Sequence, residues 1–126
     1  MNMNDAFLGS LIFNKNSSGS GVISLYTLNQ SQGGAWVSTG ISASSFENFL
    51  FVFNDETVLN NYLMRQIPTS DITVSSGGSA EYTTIFTGEE IGRVFNVRIY
   101  NGILDISFND SGASTKKVTV CNPIEI

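Results

Sequence analysis

The sequence predicts an all-β fold, an antiparallel two-sheet β-sandwich of jelly-roll type, and three observations lead there. Charged residues make up only 13% of the 126 positions, and Ala, Glu, Lys and Arg, which long helices draw on, are scarce. Short apolar segments alternate with the Gly/Ser-rich patches "NSSGSG" (16–21), "QSQGG" (30–34) and "SSGGS" (75–79). Patches this short between apolar runs read as turns inside one domain rather than as linkers. Finally, "VFNVRIYNGILDISFND" (94–110) has the alternation and the turn of a β-hairpin. The chain is read as a single domain, residues 1–126, with 1–14 as an N-terminal arm or edge strand.

The expected strands, in order, are 7–13, 21–28, 35–39, 46–53, 71–75, 81–87, the two arms of the hairpin, and 114–121. Each is rich in β-branched or aromatic residues and bounded by turn formers. The segment "ETVLNNYLMRQIP" (56–68) fits two descriptions. Val58, Leu59, Tyr62, Leu63 and Ile67 lie at helical spacing after a possible Asp55 cap, and the same residues also make a strand ending before Pro68.

The hairpin is the firmest element. Asn101-Gly102 suits a two-residue type I′ turn, because both positions need positive φ. That turn pairs Tyr100 with Ile103, Arg98 with Asp105 and Phe95 with Phe108. One face then carries Phe95, Val97, Ile99, Leu104, Ile106 and Phe108, the expected core face. The other carries Asn96, Arg98, Asp105 and Ser107, read as a solvated face with a cross-strand ion pair.

Residues 49–53, "FLFVF", break the one-sided rule. Alternation puts Phe49, Phe51 and Phe53 on one face and Leu50 and Val52 on the other. The core can take only one set. The expectation is that a neighbouring subunit or protein covers the other, with Phe49, Phe51 and Phe53 as the candidate interface residues. A covering loop or N-terminal segment of the same chain is the alternative.

Several function classes are disfavoured. The net charge is −5, and the six basic residues are dispersed, so neither nucleic acid nor an anionic membrane is an expected partner. The N-terminal apolar run follows Asp5 with no Lys or Arg before it, unlike a secretory leader, and no stretch is long enough to span a bilayer. Cys121 is the only cysteine and reads as a small buried hydrophobe. No histidine is present, which removes Ser-His-Asp and Cys-His catalysis and the commonest zinc ligand. The carboxylates fall in turns or on expected wet faces, so neither an enzyme nor a cofactor is expected. "NDET" (54–57) and "FNDSG" (108–112) could offer oxygen ligands to calcium, but this is also ordinary turn chemistry, and no metal is expected.

Carbohydrate is the best small-ligand idea. Trp36 and Tyr62 are the candidate ring platform, among the aromatics Tyr26, Tyr82 and Tyr100, with Asn60, Asn61 and Gln66 as hydrogen-bonding partners. For Trp36 the competing and favoured place is the core between the sheets.

A resemblance adds to this. A Gly/Ser turn and a Trp-containing strand, "GGAWVSTG", precede "ISASSFENFLFVFND"; "RQIPTSDI" and the paired strands "FNVRIYNGILDISF" follow. Over roughly residues 21–121 this order resembles the small jelly-roll domains of tailed-bacteriophage virion proteins, found in tail and head fibres and in capsid-decorating proteins. The resemblance implies a non-enzymatic structural protein, made in the host cytoplasm and resident in the virion. It would assemble with capsid or fibre proteins as a homo-oligomer, a trimer among the candidates. A carbohydrate-binding or host-receptor module, meeting a surface glycan, is the alternative.

Overall fold

The computed structural model describes residues 23–58, 62–78 and 80–122. Among them are nine strands: β1 (Ser24–Asn29), β2 (Val37–Ser42), β3 (Asn48–Asp55), β4 (Tyr62–Pro68), β5 (Val74–Ser75), β6 (Thr83–Phe86), β7 (Phe95–Tyr100), β8 (Ile103–Phe108) and β9 (Lys116–Cys121). One helical turn, Gly88–Ile91, joins β6 to β7. The first sheet has the order β1-β9-β3-β4; the second has β2-β8-β7-β5, with β6 also on β7. All pairs are antiparallel except the two-residue β5–β7 contact. This is the expected β-sandwich. A jelly-roll order is a finer statement than these pairings support, since β3–β4 are sequential neighbours within the first sheet and β7–β8 within the second. The expected strand at 7–13 and the arm at 1–14 lie outside the described residues.

The β7–β8 register is the expected one, from Phe95↔Phe108 to Tyr100↔Ile103, with φ of 52° at Asn101 and 78° at Gly102. All six residues of its apolar face are buried. The ambiguous segment is a strand from Tyr62 to Pro68 rather than a helix. Seven consecutive pairs with β3, from Asn48↔Pro68 to Asn54↔Tyr62, outweigh its helical spacing.

The candidate interface residues need correction. Phe49, Phe51 and Phe53 point between the sheets and are core, not contact surface. Their ladder partners on β9 include Val120 and Val118, which share that inner face. Rings link the layers: Phe51 lies 6.1 Å from Phe95, which meets Phe108 edge-on at 5.3 Å. The opposite set is covered as well, with Leu50 2% and Val52 1% exposed. They cluster with Cys121 against Tyr62 and Met64. Both faces of β3 are therefore buried within one chain, and its apolar run no longer calls for a neighbouring subunit.

The outer face of the hairpin is also not the solvated face expected. Arg98 is 8% exposed and Asp105 6%. Arg98 Nε donates to Asp105 Oδ2 at 3.1 Å, and its guanidinium lies 4.4 Å from the Trp36 ring centroid and 4.9 Å from that of Tyr100. Two rings thus desolvate the pair, a stacking that suits a planar, weakly hydrated guanidinium. Trp36 is accordingly not between the sheets. It precedes Val37, which pairs with inward Ile106, so alternation turns it outward onto the pair.

A second arginine closes the sandwich edge. Arg65 of β4 donates to the Ile85 carbonyl, lies over the Phe86 ring at 5.4 Å, and grips Glu90 with two bonds of 3.0 and 2.6 Å. Glu90 also accepts from the Thr87 N–H at 3.0 Å, completing a capping box on the helical turn. The Arg65 guanidinium, with the N–H and the hydroxyl of Thr87 (the latter at 3.3 Å), holds the Glu90 carboxyl at about 2.

Three expectations follow, two on packing and one on pH. Leu104→Ala, which opens a cavity at a fully buried site, should lower stability by about 2 to 5 kcal/mol. Asp105→Ala should lower it by about 3 kcal/mol rather than by the small loss of an exposed pair, because it strands a desolvated guanidinium. Denaturant midpoints at constant slope test both; a loss under about 1 kcal/mol for Asp105→Ala would show that the pair is effectively solvated. For Glu90 the depressed carboxyl stabilises the fold above its ordinary value of 4.5, and that contribution fades as pH falls from there to about 2. Glu90→Gln should flatten the pH dependence of stability in that window, and an unchanged acid profile would contradict the assignment.

Candidate functional site

Strand pairing on the first sheet determines which side chains share its outer face. Val52 lies opposite Thr119, and Thr119 opposite Thr27; Asn54 lies between Lys117 and Tyr62. The result is two adjacent polar rows beside the Leu50–Val52–Cys121 patch. The Thr27 and Thr119 hydroxyls are 3.0 Å apart and hydrogen-bonded.

The turn after β3 supplies the rim. Asp55 Oδ1 accepts from the Thr57 N–H at 3.0 Å and from its hydroxyl at 2.7 Å. Burial works to raise the Asp55 carboxyl, but these bonds and nearby Lys116 outweigh it and hold it below its usual range. The Glu56 N–H donates to the Thr115 carbonyl at 2.9 Å, and the Val58 N–H closes the turn on Asp55 O at 3.0 Å. These bonds set the Glu56 backbone beside β9, where its Oε1 meets Lys117 Nζ at 2.8 Å. Together Thr27, Asn54, Glu56, Tyr62, Lys117 and Thr119 line a cleft of about 440 Å³. That is within the range of small-molecule sites, which span roughly 300–1,000 Å³. It offers one aromatic wall, two threonine hydroxyls besides the tyrosine's own, an amide and a charged pair.

The two platform residues named from sequence do not meet. Tyr62 lines this cleft, whereas Trp36 lies on the outer face of the other sheet, 6.2 Å from the exposed Tyr82. Gln66 shares the Tyr62 face of β4 but lies opposite Leu50, away from the cleft, while Asn60 and Asn61 lie outside the described residues. Thr27, Lys117 and Thr119 were missed, and Asn54 and Glu56 entered only as oxygen ligands of the "NDET" turn, because only the register of β9 against β1 and β3 brings these residues together.

Asn109, Asp110 and Glu81 serve the fold. Asn109 Oδ1 accepts from the Val94 N–H at 3.1 Å, and Asp110 Oδ1 accepts from Gln30 Nε2 at 3.1 Å and lies 3.3 Å from Arg93 Nε. Glu81 accepts from the Ser76 hydroxyl at 2.8 Å and the Gly78 N–H at 2.9 Å. Among the described residues, no three His, Cys, Asp or Glu side chains gather in a metal-binding group.

Cys121, in the apolar patch next to the cleft, is fully buried, and burial pushes its thiol up to about 12. A thiol reagent at about pH 8 should leave the native chain unlabelled and modify it after denaturation. Fast labelling of the native chain would show that this patch opens.

No family model, no curated protein and no solved structure matches this chain.

Proposed function

We propose that the chain is a non-enzymatic structural component of a bacteriophage particle, a capsid-decorating or head- or tail-fibre domain that works by recognition and assembly. The order of motifs given above supports the virion setting. The geometric observation that carries the non-catalytic reading is the employment of the carboxylates: Asp55, Glu81, Glu90, Asp105 and Asp110 each bind a donor within the chain. Assembly with capsid or fibre proteins, as a homo-oligomer, belongs to the same proposal. Gradient-purified particles from a culture carrying the sequence should contain the chain at a fixed copy number by mass spectrometry, with sedimentation of the isolated chain giving its oligomeric state. Its confinement to the particle-free fraction would overturn the virion assignment.

The cleft favours a second reading, carbohydrate recognition. An aromatic wall with convergent amide, hydroxyl and charged groups is what a polyhydroxylated ligand requires. On a glycan array the chain should retain a subset of saccharides, and Tyr62→Ala should lose them while keeping its β-sheet circular dichroism. Retention unaffected by Tyr62→Ala would place any glycan site elsewhere.

A further inference from the structure

We infer that the cleft on the outer face of the first sheet takes an uncharged sugar and reads two adjacent hydroxyls of it through Lys117 and Glu56. This rests on the carbohydrate reading above and names the ligand class. Lys117 Nζ and Glu56 Oε1 stand 2.8 Å apart. A donor beside an acceptor at this spacing is complementary to a vicinal diol: one hydroxyl oxygen accepts from the ammonium while a hydroxyl proton is donated to the carboxylate. The pair is available for that exchange. Its side chains are 32% and 48% exposed, so the mutual attraction is screened and weak to open, unlike the Arg98–Asp105 pair at 9% and 8%.

The charges also select against ionised ligands. An acidic sugar in contact with Lys117 would meet the Glu56 carboxylate 2.8 Å from the same ammonium, on a chain of net charge −5. An ammonium-bearing ligand would meet Lys117 in the same way. A neutral diol satisfies both partners and strands neither. The remaining groups fit a sugar ring. Thr119 lies two residues along β9 from Lys117, about 7 Å away on the same face. Its hydroxyl and that of Thr27 each donate or accept, so together they can meet hydroxyls at the far side of a pyranose. The Tyr62 ring, beyond Asn54, gives the apolar C–H face of the sugar a surface to lie on.

The test is a titration of the full chain, followed by heteronuclear NMR, with methyl mannoside, methyl galactoside, a deoxy analogue of each lacking one member of the diol, and glucuronic acid. The expected result is that a neutral glycoside shifts the signals of Thr27, Asn54, Glu56, Tyr62, Lys117 and Thr119. Its affinity should be unchanged between about 0.05 and 0.5 M salt, since no net charge is neutralised on binding. The deoxy analogue and Glu56→Gln should each weaken binding about tenfold, the worth of a hydrogen bond to a charged group. Binding confined to glucuronic acid and falling with salt would overturn the neutral-diol inference and leave carbohydrate recognition standing. Undiminished binding by Glu56→Gln and Lys117→Met, both at the solvent-facing rim and checked for folding by circular dichroism, would also overturn it. If no sugar moves these signals, the carbohydrate reading of the cleft falls with it.

Discussion

The rest of the structure depends on the ladder that β3 makes on both sides. It pairs with β4 from Asn48 to Asn54 and with β9 from Leu50 to Asp55, so it is the central strand joining a hairpin neighbour to a distant one. This double pairing fixes the strand's two faces at once. Phe49, Phe51 and Phe53 meet the second sheet, while Leu50 and Val52 join Cys121 and Met64 outside. A slip of one residue would exchange three phenylalanines for Leu50 and Val52 in the core, a change of volume that the opposing Phe86, Phe95 and Phe108 could not absorb. The same register carries Asn54 outward between Lys117 and Tyr62, so the packing of the core and the lining of the cleft are set by one alignment.

The second sheet solves a different problem. Its outer face holds a charged pair, which sheet alternation alone would leave in water. Trp36 and Tyr100 cover it, turning a weak surface contact into a desolvated one. Such a pair adds little net stability relative to an apolar replacement, but it tolerates few alternatives, because any shift of β7 against β8 separates Arg98 from Asp105 and leaves both unpaired. The pair therefore reinforces the register that the Asn101-Gly102 turn initiates. Arg65 does comparable work at the edge, where its grip on Glu90 ties β4 of the first sheet to the helical turn before β7.

What could be read from the sequence follows the range of the interactions involved. The hairpin was legible because turn chemistry and alternation are local: Asn101 and Gly102 dictate which residues oppose each other within a few positions. The inward face of β3 was not legible. Both sets of its side chains are apolar, and the choice belongs to partners on β9 some seventy residues away in the chain. Trp36 misled for a related reason. Large aromatics usually lie in cores, and nothing near Trp36 announces that Arg98 will be stacked beneath it. The segment ending at Pro68 carried a helical spacing that the β3 ladder overrode. The cleft was only partly visible, as Tyr62; its hydroxyl pair joins Thr27 to Thr119, 92 positions apart, and no local pattern links them.

Two ion pairs of similar geometry thus have opposite standing in one small domain. Arg98–Asp105 and Lys117–Glu56 differ little in separation, 3.1 against 2.8 Å, but the first lies under two rings and the second at the rim of a cleft. Burial makes the first a constraint: Arg98 Nε is bonded to Asp105 Oδ2, and exchanging that bond for a ligand would require stripping away Trp36 and Tyr100. Exposure makes the second exchangeable, since water already competes for each member and a ligand hydroxyl need only compete with water. The fold places the rigid pair where strand register must be held and the exchangeable pair where the turn after β3 presents Glu56 to solvent. That difference in solvation, to which the guanidinium's fit against the two rings contributes, separates the pair that holds strand register from the pair that stays open to exchange.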